Sequence, residues 1–258
     1  MILDKPIGKT PLTLLTDFRA QFPEYDTVKI GYAGRLDPMA EGLVLYMVGD
    51  ENKNREKYVG LDKVYEIEIL FGIETESYDV LGLIKEAKNY KSDEVSKELP
   101  LLLPRFKGEI EQAYPPYSSK PFNGKPLYYW ARRGELEGVD LPKEMREIHS
   151  LDEIGNRILN KSELHTIIMD KLERVEGDFN QEAIIKGWDE YLAATTQESW
   201  LCSSLKVSCR SGTYMRSLAH EIGKAVGVGA CALSITRTKI GTYTTPTQPI
   251  YSKPSLSQ

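Results

Sequence analysis

Hydrophobic positions along the chain follow two different periods. The run "MILD" at 1–4 predicts a short strand, and "TPLTLLTDFRAQF" at 10–22 places Leu14, Leu15, Phe18 and Phe22 at helical spacing behind a Thr10 N-cap and Pro11 at the first helical position. "VKIG" predicts another short strand, and "LVLYMVG" at 43–49 is continuously apolar, as a buried strand would be. "KVYEIEILFG" alternates, with Tyr65, Ile67, Ile69 and Phe71 on one face and Glu66 and Glu68 on the other, so Tyr65 should point inward. Residues 85–104 read as a polar helix and its connection, and "YPPYSSKPFNGKP" as a loop. The stretch 139–200 is acidic and mostly helical in pattern, closer to an insertion on a scaffold than to a core element. "LKVSCR" alternates as a strand, and "SGTYMRSLAHEIGKAVGVG" predicts a helix with Met215, Leu218, Ile222 and Val226 on its apolar stripe and Gly227 as its stop. Strands and helices without regular β-α-β spacing, and without an internal repeat, indicate an α+β domain.

Composition narrows the class. At 258 residues, with 41% hydrophobic and 28% charged side chains, the chain has enough apolar material for a sizeable core. No window holds the uninterrupted apolar run of a membrane helix, and the start "MILDKPIGKT" lacks the apolar region of a signal peptide, so the expected location is the cytoplasm. Cys202, Cys209 and Cys231 are odd in number and lack Cys-x-x-Cys spacing, which argues against a disulfide framework and a thiolate zinc site. The scattered His149, His165 and His220 add no metal cluster. An enzyme built from this chain is therefore expected to work without a metal.

The formal net charge of −5 at first argues against a nucleic-acid partner. Its distribution reverses that reading. Residues 136–200 hold 15 acidic and 7 basic side chains, whereas residues 201–258 hold 7 basic and 1 acidic. Upstream, residues 101–134 carry Arg105, Lys107, Lys120, Lys125, Arg132 and Arg133 against only Glu109 and Glu111. A polyanion could bind where these two basic stretches meet.

Candidate chemistry starts at "GYAGRLDPMAEG", residues 31–42, where Asp37 stands before proline in a glycine-rich loop. The pre-proline position is extended and the glycines permit unusual backbone, so the loop either holds one carboxylate in place or simply turns the chain. Arg216 falls in the first turn of a predicted helix, where the positive end of the helix dipole disfavours a cation. Its partner is a phosphate, a loop carboxylate such as Asp37, or solvent. Tyr65, inward on its strand, is equally well read as core.

In order along the chain, "LDKPIGKT", "GYAGRLDPMAEGLVLYMVGDENK", "KVYEIEILFGIETESYDVLG", "IEQAYPPYSSKPFNGKPLYYWARRG", "LKVSCRSGTYMRSLAHEIG" and "LSITRTKIGTY" resemble the bacterial tRNA pseudouridine-55 synthases of the TruB type. The resemblance covers about residues 1–135 and 201–244. It implies a pseudouridine synthase fold, a mixed and mostly antiparallel sheet flanked by helices and loops. It also implies conversion of a T-loop uridine of tRNA to pseudouridine, an isomerisation that needs no redox cofactor or metal. By matching motifs, Asp37 takes the catalytic carboxylate position, Tyr65 the tyrosine that stacks on the target base and assists removal of the C5 proton, and Arg216 the arginine that pairs with the carboxylate. Lys5 of "LDKP" matches a lysine near the site, a solvated lysine being the other reading. A uridine stacked in a loop must be flipped out to react. Lys5, Tyr32, Arg35, Tyr117, Lys120, Lys125, Tyr128 and Arg132 are the expected RNA contacts, through stacking and phosphate; for the stretch 114–133 a wet surface loop is the alternative.

Three departures stand out. Where the family reads Gly-His-Thr-Gly, this chain reads "GYAG", so Tyr32 replaces the histidine associated with flipping and Ala33 the threonine. The chain is expected to comprise a catalytic domain over 1–245 and a short tail over 246–258, without the family's C-terminal RNA-binding PUA domain. The acidic stretch 139–200 exceeds the family's usual connection. The expected partner is the T-stem and loop of tRNA, met by a monomer away from any membrane. A tRNA-binding or tRNA-folding protein of the same fold is the alternative, and a metal-free hydrolase pairing Asp37 with Glu41 is more remote, since a glycosidase needs its two carboxyl groups at a set separation.

Overall fold

The computed structural model describes residues 1–244, so the segment 246–258 read as a tail lies outside the described residues. Strand β1 (Ile2–Lys5) leads into helix α1 (Pro11–Gln21). Thr10 caps α1 as expected, its hydroxyl accepting from the Thr13 amide at 3.1 Å while its own amide donates to the Thr13 hydroxyl at 2.8 Å. Strands β2 (Ile30–Ala33) and β3 (Ala40–Val48) bracket the loop that carries Asp37. After a short helix α2 (Arg55–Val59) comes β4 (Lys63–Phe71), with Tyr65, Ile67, Ile69 and Phe71 all buried. A small hairpin follows, β5 (Ile73–Thr75) with β6 (Ile84–Ala87), then helix α3 (Ser92–Leu102) and strand β7 (Gly108–Ala113). Part of the span read as polar helix is thus strand β6. The proline-rich loop contains a minimal pair, β8 (Pro121–Phe122) and β9 (Lys125–Pro126), before helix α4 (Leu127–Ala131).

The 139–200 region departs from the sequence expectation. Residues Lys143–Asn160 form an 18-residue strand, β10, rather than helix. Its first part pairs with β7 and its remainder with the next long strand, and register shifts at Ile148/Ser150 and Glu153/Gly155 interrupt it. Those two bulges break the two-residue alternation that identifies a strand in sequence. Only then do helices α5 (Lys161–Glu173) and α6 (Gln181–Ala194) follow, leading to β11 (Ser199–Cys209). The chain closes with helix α7 (Met215–Val226), ended as expected by Gly227 at φ +85°, and strands β12 (Ala230–Ile240) and β13 (Tyr243–Thr244).

The main sheet runs β1-β3-β12-β4-β11-β10-β7, with β2 on β3 and β13 on β12. Its pairings are antiparallel except β12 with β3, which are parallel. One face packs Ile67, Ile69 and Phe71 against Leu15 and Phe18 of α1, Val95 and Leu99 of α3, and the expected stripe of α7. The other face packs Leu70, Cys202, Cys231 and Leu233 against Leu164 and Ile168 of α5 and Ile184, Trp188 and Leu192 of α6. Helices α5 and α6 therefore pack a second core, which corrects the expectation that this stretch is no core element. Acidic residues cover only their outer faces.

Trp188 is fully buried and its indole donates to the Val80 carbonyl at 3.2 Å. Trp188→Ala is expected to lower unfolding stability by about 3–5 kcal/mol in urea titration; a change under about 1 kcal/mol would show that this second core is dispensable.

Candidate active site

Arg216 is where four distant segments meet. As the second residue of α7 its side chain is only 3% exposed, and a guanidinium so placed needs every donor satisfied. Its Nε donates to Oδ2 of Asp37 at 2.8 Å, Nη1 to the Ser77 carbonyl at 2.8 Å, and Nη2 to the Tyr117 carbonyl at 3.2 Å. Of the three partners the sequence left open for Arg216, the structure selects the loop carboxylate. The second carboxylate, Asp79, lies 3.7 Å from Nε and is itself buried. Burial works against the charge on Arg216, but Asp37 and Asp79 outweigh it and hold its pKa above the ordinary value.

Asp79 was not anticipated from sequence. It sits in a turn between β5 and β6 where Ser77 Oγ donates to Oδ1 at 2.7 Å and the Leu81 amide donates to the same oxygen at 3.0 Å. Tyr78 takes φ +65° in this turn, a costly conformation for an aromatic residue. Two contacts hold it: the Ala232 amide donates to its carbonyl at 2.9 Å, and its ring stacks at 3.8 Å on His220 of α7. The turn thereby presents both the Ser77 carbonyl and the Asp79 carboxylate to Arg216.

The carboxylate of Asp37 is 37% exposed, so its free side faces solvent in a cleft of about 680 Å³ that Tyr117, Tyr128 and Arg132 also line. The loop beneath is braced by two buried cations. Lys5 is fully buried, its ammonium donating to the carbonyls of Pro6 at 2.9 Å, Lys9 at 2.7 Å and Pro38 at 3.5 Å. That placement corrects its assignment as an RNA contact and excludes the solvated reading: Lys5 fastens the residue after Asp37. Burial pushes its pKa down to about 8. The second brace, Arg237 of β12, was missed in the sequence. Its Nε donates to the Leu43 carbonyl at 2.6 Å, Nη1 to Arg35 at 3.3 Å and Nη2 to Gly34 at 3.2 Å. Gly42, at φ +99°, lets the two strands approach, because a Cβ there would lie 2.3 Å from the Arg237 carbonyl.

The other expected residues divide. Tyr65 sits in the core below the loop with Arg237 6.0 Å from its ring centroid, and burial raises its phenol pKa. Tyr117 donates its hydroxyl to Glu76 at 2.8 Å at the cleft, and Arg132 donates to the Asp178 carbonyl at 2.9 Å. Tyr32 packs edge-on against Tyr46 at 6.1 Å, and the exposed Arg35 offers its side chain to solvent while its carbonyl serves Arg237. Lys120 lies 4.6 Å from the Tyr114 ring centroid and 3.6 Å from Glu144, and the exposed Lys125 lies over Tyr129 at 5.7 Å. Asp37, Arg216, Tyr117, Tyr128 and Arg132 are thus brought together; the two lysines are not among the residues lining the cleft.

Burial raises the pKa of Asp79 to about 6 from 3.8, with Arg216 opposing. The folded state then holds this proton more tightly than the unfolded chain, so the group favours folding most below pH 4 and loses that contribution as pH rises through 6. Between pH 4 and 6 the native protein is expected to lose up to about 3 kcal/mol relative to Asp79→Asn in chemical denaturation. Parallel stability curves for the two proteins would contradict this placement of Asp79.

Comparison with known proteins gives this geometry a context. Residues 23–168 match the N-terminal domain of the TruB family pseudouridylate synthases, more than half of the chain. The tRNA pseudouridine synthase B of Aromatoleum aromaticum is 31% identical over 245 residues, covering 94% of this chain and 63% of that protein. The enzyme of the same name from Shouchella clausii is 30% identical over 244 residues, covering 95% of this chain and 67% of that protein. The chain spans just under two thirds of the length of the first of these relatives. Among solved structures, a Cbf5-Nop10-Gar1 complex matches with a TM-score of 0.51 at 17% identity, covering 94% of this chain and 49% of that chain. An archaeal box H/ACA sRNP Nop10-Cbf5 complex matches with a TM-score of 0.50 at 16% identity over 94% of this chain and 48% of that one. These likenesses confirm the α+β pseudouridine synthase fold, and with the family match they place the chain in the TruB family of pseudouridylate synthases.

Proposed function

We propose that this chain converts a uridine of tRNA to pseudouridine, the target being uridine 55 in the T-loop and Asp37 the nucleophile. The observation that carries the reading is the 2.8 Å pair between Arg216 and Asp37, 179 positions apart in the chain, set at a cleft with room for a nucleotide. In the isomerisation the N1–C1′ bond breaks, the base turns, a C5–C1′ bond forms, C5 loses its proton and N1 gains one. No atom is gained or lost overall, and the chemistry asks for a carboxylate held close to the nucleotide. Arg216 aims that carboxylate, and the carbonyls of Ser77 and Tyr117 keep the guanidinium from turning away.

Tyr65 supports the loop from below; it is buried and is not among the residues lining the cleft, so in this geometry it packs the loop rather than stacking on a base. Its raised pKa keeps the phenol protonated at neutral pH, which suits hydrogen bonding and packing better than proton abstraction by a phenolate. Tyr128 and Arg132 offer stacking and charge at the cleft, and the exposed Lys125 is free to meet phosphate. Residues 1–245 act as one catalytic unit in the cytoplasm, and because a single chain brings the Asp37–Arg216 pair to the cleft, a monomer suffices to meet the T-stem and loop of tRNA. No step requires a bound cofactor. Among the described residues no helix is long and apolar enough to cross a membrane.

With unmodified tRNA transcript tritiated at uridine C5, the native protein should release tritium and place pseudouridine at position 55. Asp37→Ala should slow release by roughly a thousandfold or more while tRNA binding persists. Equal release from both proteins would remove Asp37 from the chemistry, and tRNA binding without any release would favour the binding-protein reading.

A further inference from the structure

Strands β10 and β11 are paired to their ends, with Asn160 opposite Ser199. A turn of a few residues would join them. Instead the chain leaves the sheet over residues 161–198, running out along α5 and back along α6. The sheet's topology does not call for this excursion, and its tip, residues 174–180, arrives at the cleft.

The tip is firmly seated on both sides. The Glu176 amide donates to the Gly8 carbonyl at 3.0 Å, and the Gly8 amide donates to the Pro38 carbonyl at 2.8 Å, so one residue separates the tip from the catalytic loop. The approach is close, since a Cβ on Gly8 would lie 1.8 Å from the Arg174 carbonyl. On the other side Arg132 donates to the Asp178 carbonyl at 2.9 Å and lies 5.9 Å from the centroid of the Phe179 ring. Within the tip, Gln181 donates to the carbonyls of Val175 at 3.1 Å and Gly177 at 2.6 Å and accepts from the Phe179 amide at 2.9 Å. So held, Asp178, Phe179 and Asn180 line the same cleft as Asp37 and Arg216.

Asn180 is the unusual member. It takes φ +62°, a left-handed backbone that glycine adopts at least cost and asparagine tolerates. It occupies the N-cap of α6, where an asparagine side chain ordinarily accepts from the helix backbone, yet here it makes no such bond. Its carboxamide is exposed at the cleft and has no partner among the described residues. A carboxamide offers one acceptor and two donors, and uracil presents an N3–H donor between two carbonyl acceptors. We propose that Asn180 contacts the substrate, its carboxamide hydrogen-bonding the polar edge of the flipped-out uridine, with Phe179 and Arg132 beside it as a stacking surface. The proposal rests on the uridine-isomerase reading. It gives the α5–α6 excursion a task beyond filling the second core: it completes the nucleotide site.

The test compares binding of two T-arm hairpin RNAs, one carrying the target uridine and one an abasic site there, by fluorescence anisotropy. It uses the native protein and Asn180→Gly, which keeps the left-handed backbone and removes only the carboxamide. The native protein should prefer the uridine hairpin, and Asn180→Gly should lose roughly fivefold of that preference with its affinity for the abasic hairpin unchanged. The same preference in both proteins, or none in the native protein, would overturn the contact. The readout does not depend on turnover. A preference that Asn180→Gly loses, seen in a protein that releases no tritium, supports the contact and defeats the isomerase reading; tritium release with an unaltered preference in Asn180→Gly defeats the contact alone.

Discussion

A guanidinium without access to water has to be surrounded by acceptors, and that requirement organises this molecule. Arg216 draws one acceptor from the loop after β2, one from the turn after β5 and one from the proline-rich loop, and each arrives from a different part of the chain. Removing any of these segments would leave a buried donor unpaired, at a cost of about 1–3 kcal/mol or more for a charged group. The helix dipole disfavours a cation at the start of α7. Two carboxylates close by offset that cost, and one of them is left with a free face toward the cleft.

Beneath this layer lies a second made of cations. Lys5, Lys63 and Arg237 are all buried, and each is spent on backbone carbonyls rather than on carboxylates. Burial, with Arg237 adding repulsion, pushes Lys63 down to about 8, much as burial does Lys5. Carbonyls are an economical choice here: they satisfy the ammonium and guanidinium donors while fixing the path of the main chain from Gly34 to Pro38. Asp37 is thus positioned through its backbone by Lys5 and Arg237 and through its side chain by Arg216.

How much of this was legible in the sequence depended on how local each signal is. Thr10 with Pro11, the alternation of β4 and the stripe of α7 depend on neighbouring residues and reappear in the structure unchanged. Asp37 and Arg216 raised a question locally, before a proline among glycines and at the positive end of a helix, but their neighbours left each with an ordinary alternative, and only the family resemblance paired them. Strand β10 could not be read because two bulges hide its period. Lys5 and Arg237 look like ordinary surface cations until the fold buries them. Asp79 carried no cue in "SYDV", since its importance comes from a turn closing onto a helix more than a hundred residues away. Phe179 and Asn180 belong to a loop whose nearness to the cleft only the packing of α5 and α6 decides.

Steady-state kinetics of Arg216→Lys test most directly whether Arg216 acts by aiming Asp37. Lysine keeps the charge but cannot reach three acceptors with a planar fork. With tritiated tRNA, kcat should fall roughly a hundredfold while KM for tRNA stays within about twofold, the signature of a misplaced reacting group. An unchanged kcat, or a loss confined to KM, would contradict that role and make Arg216 a binding or structural residue instead.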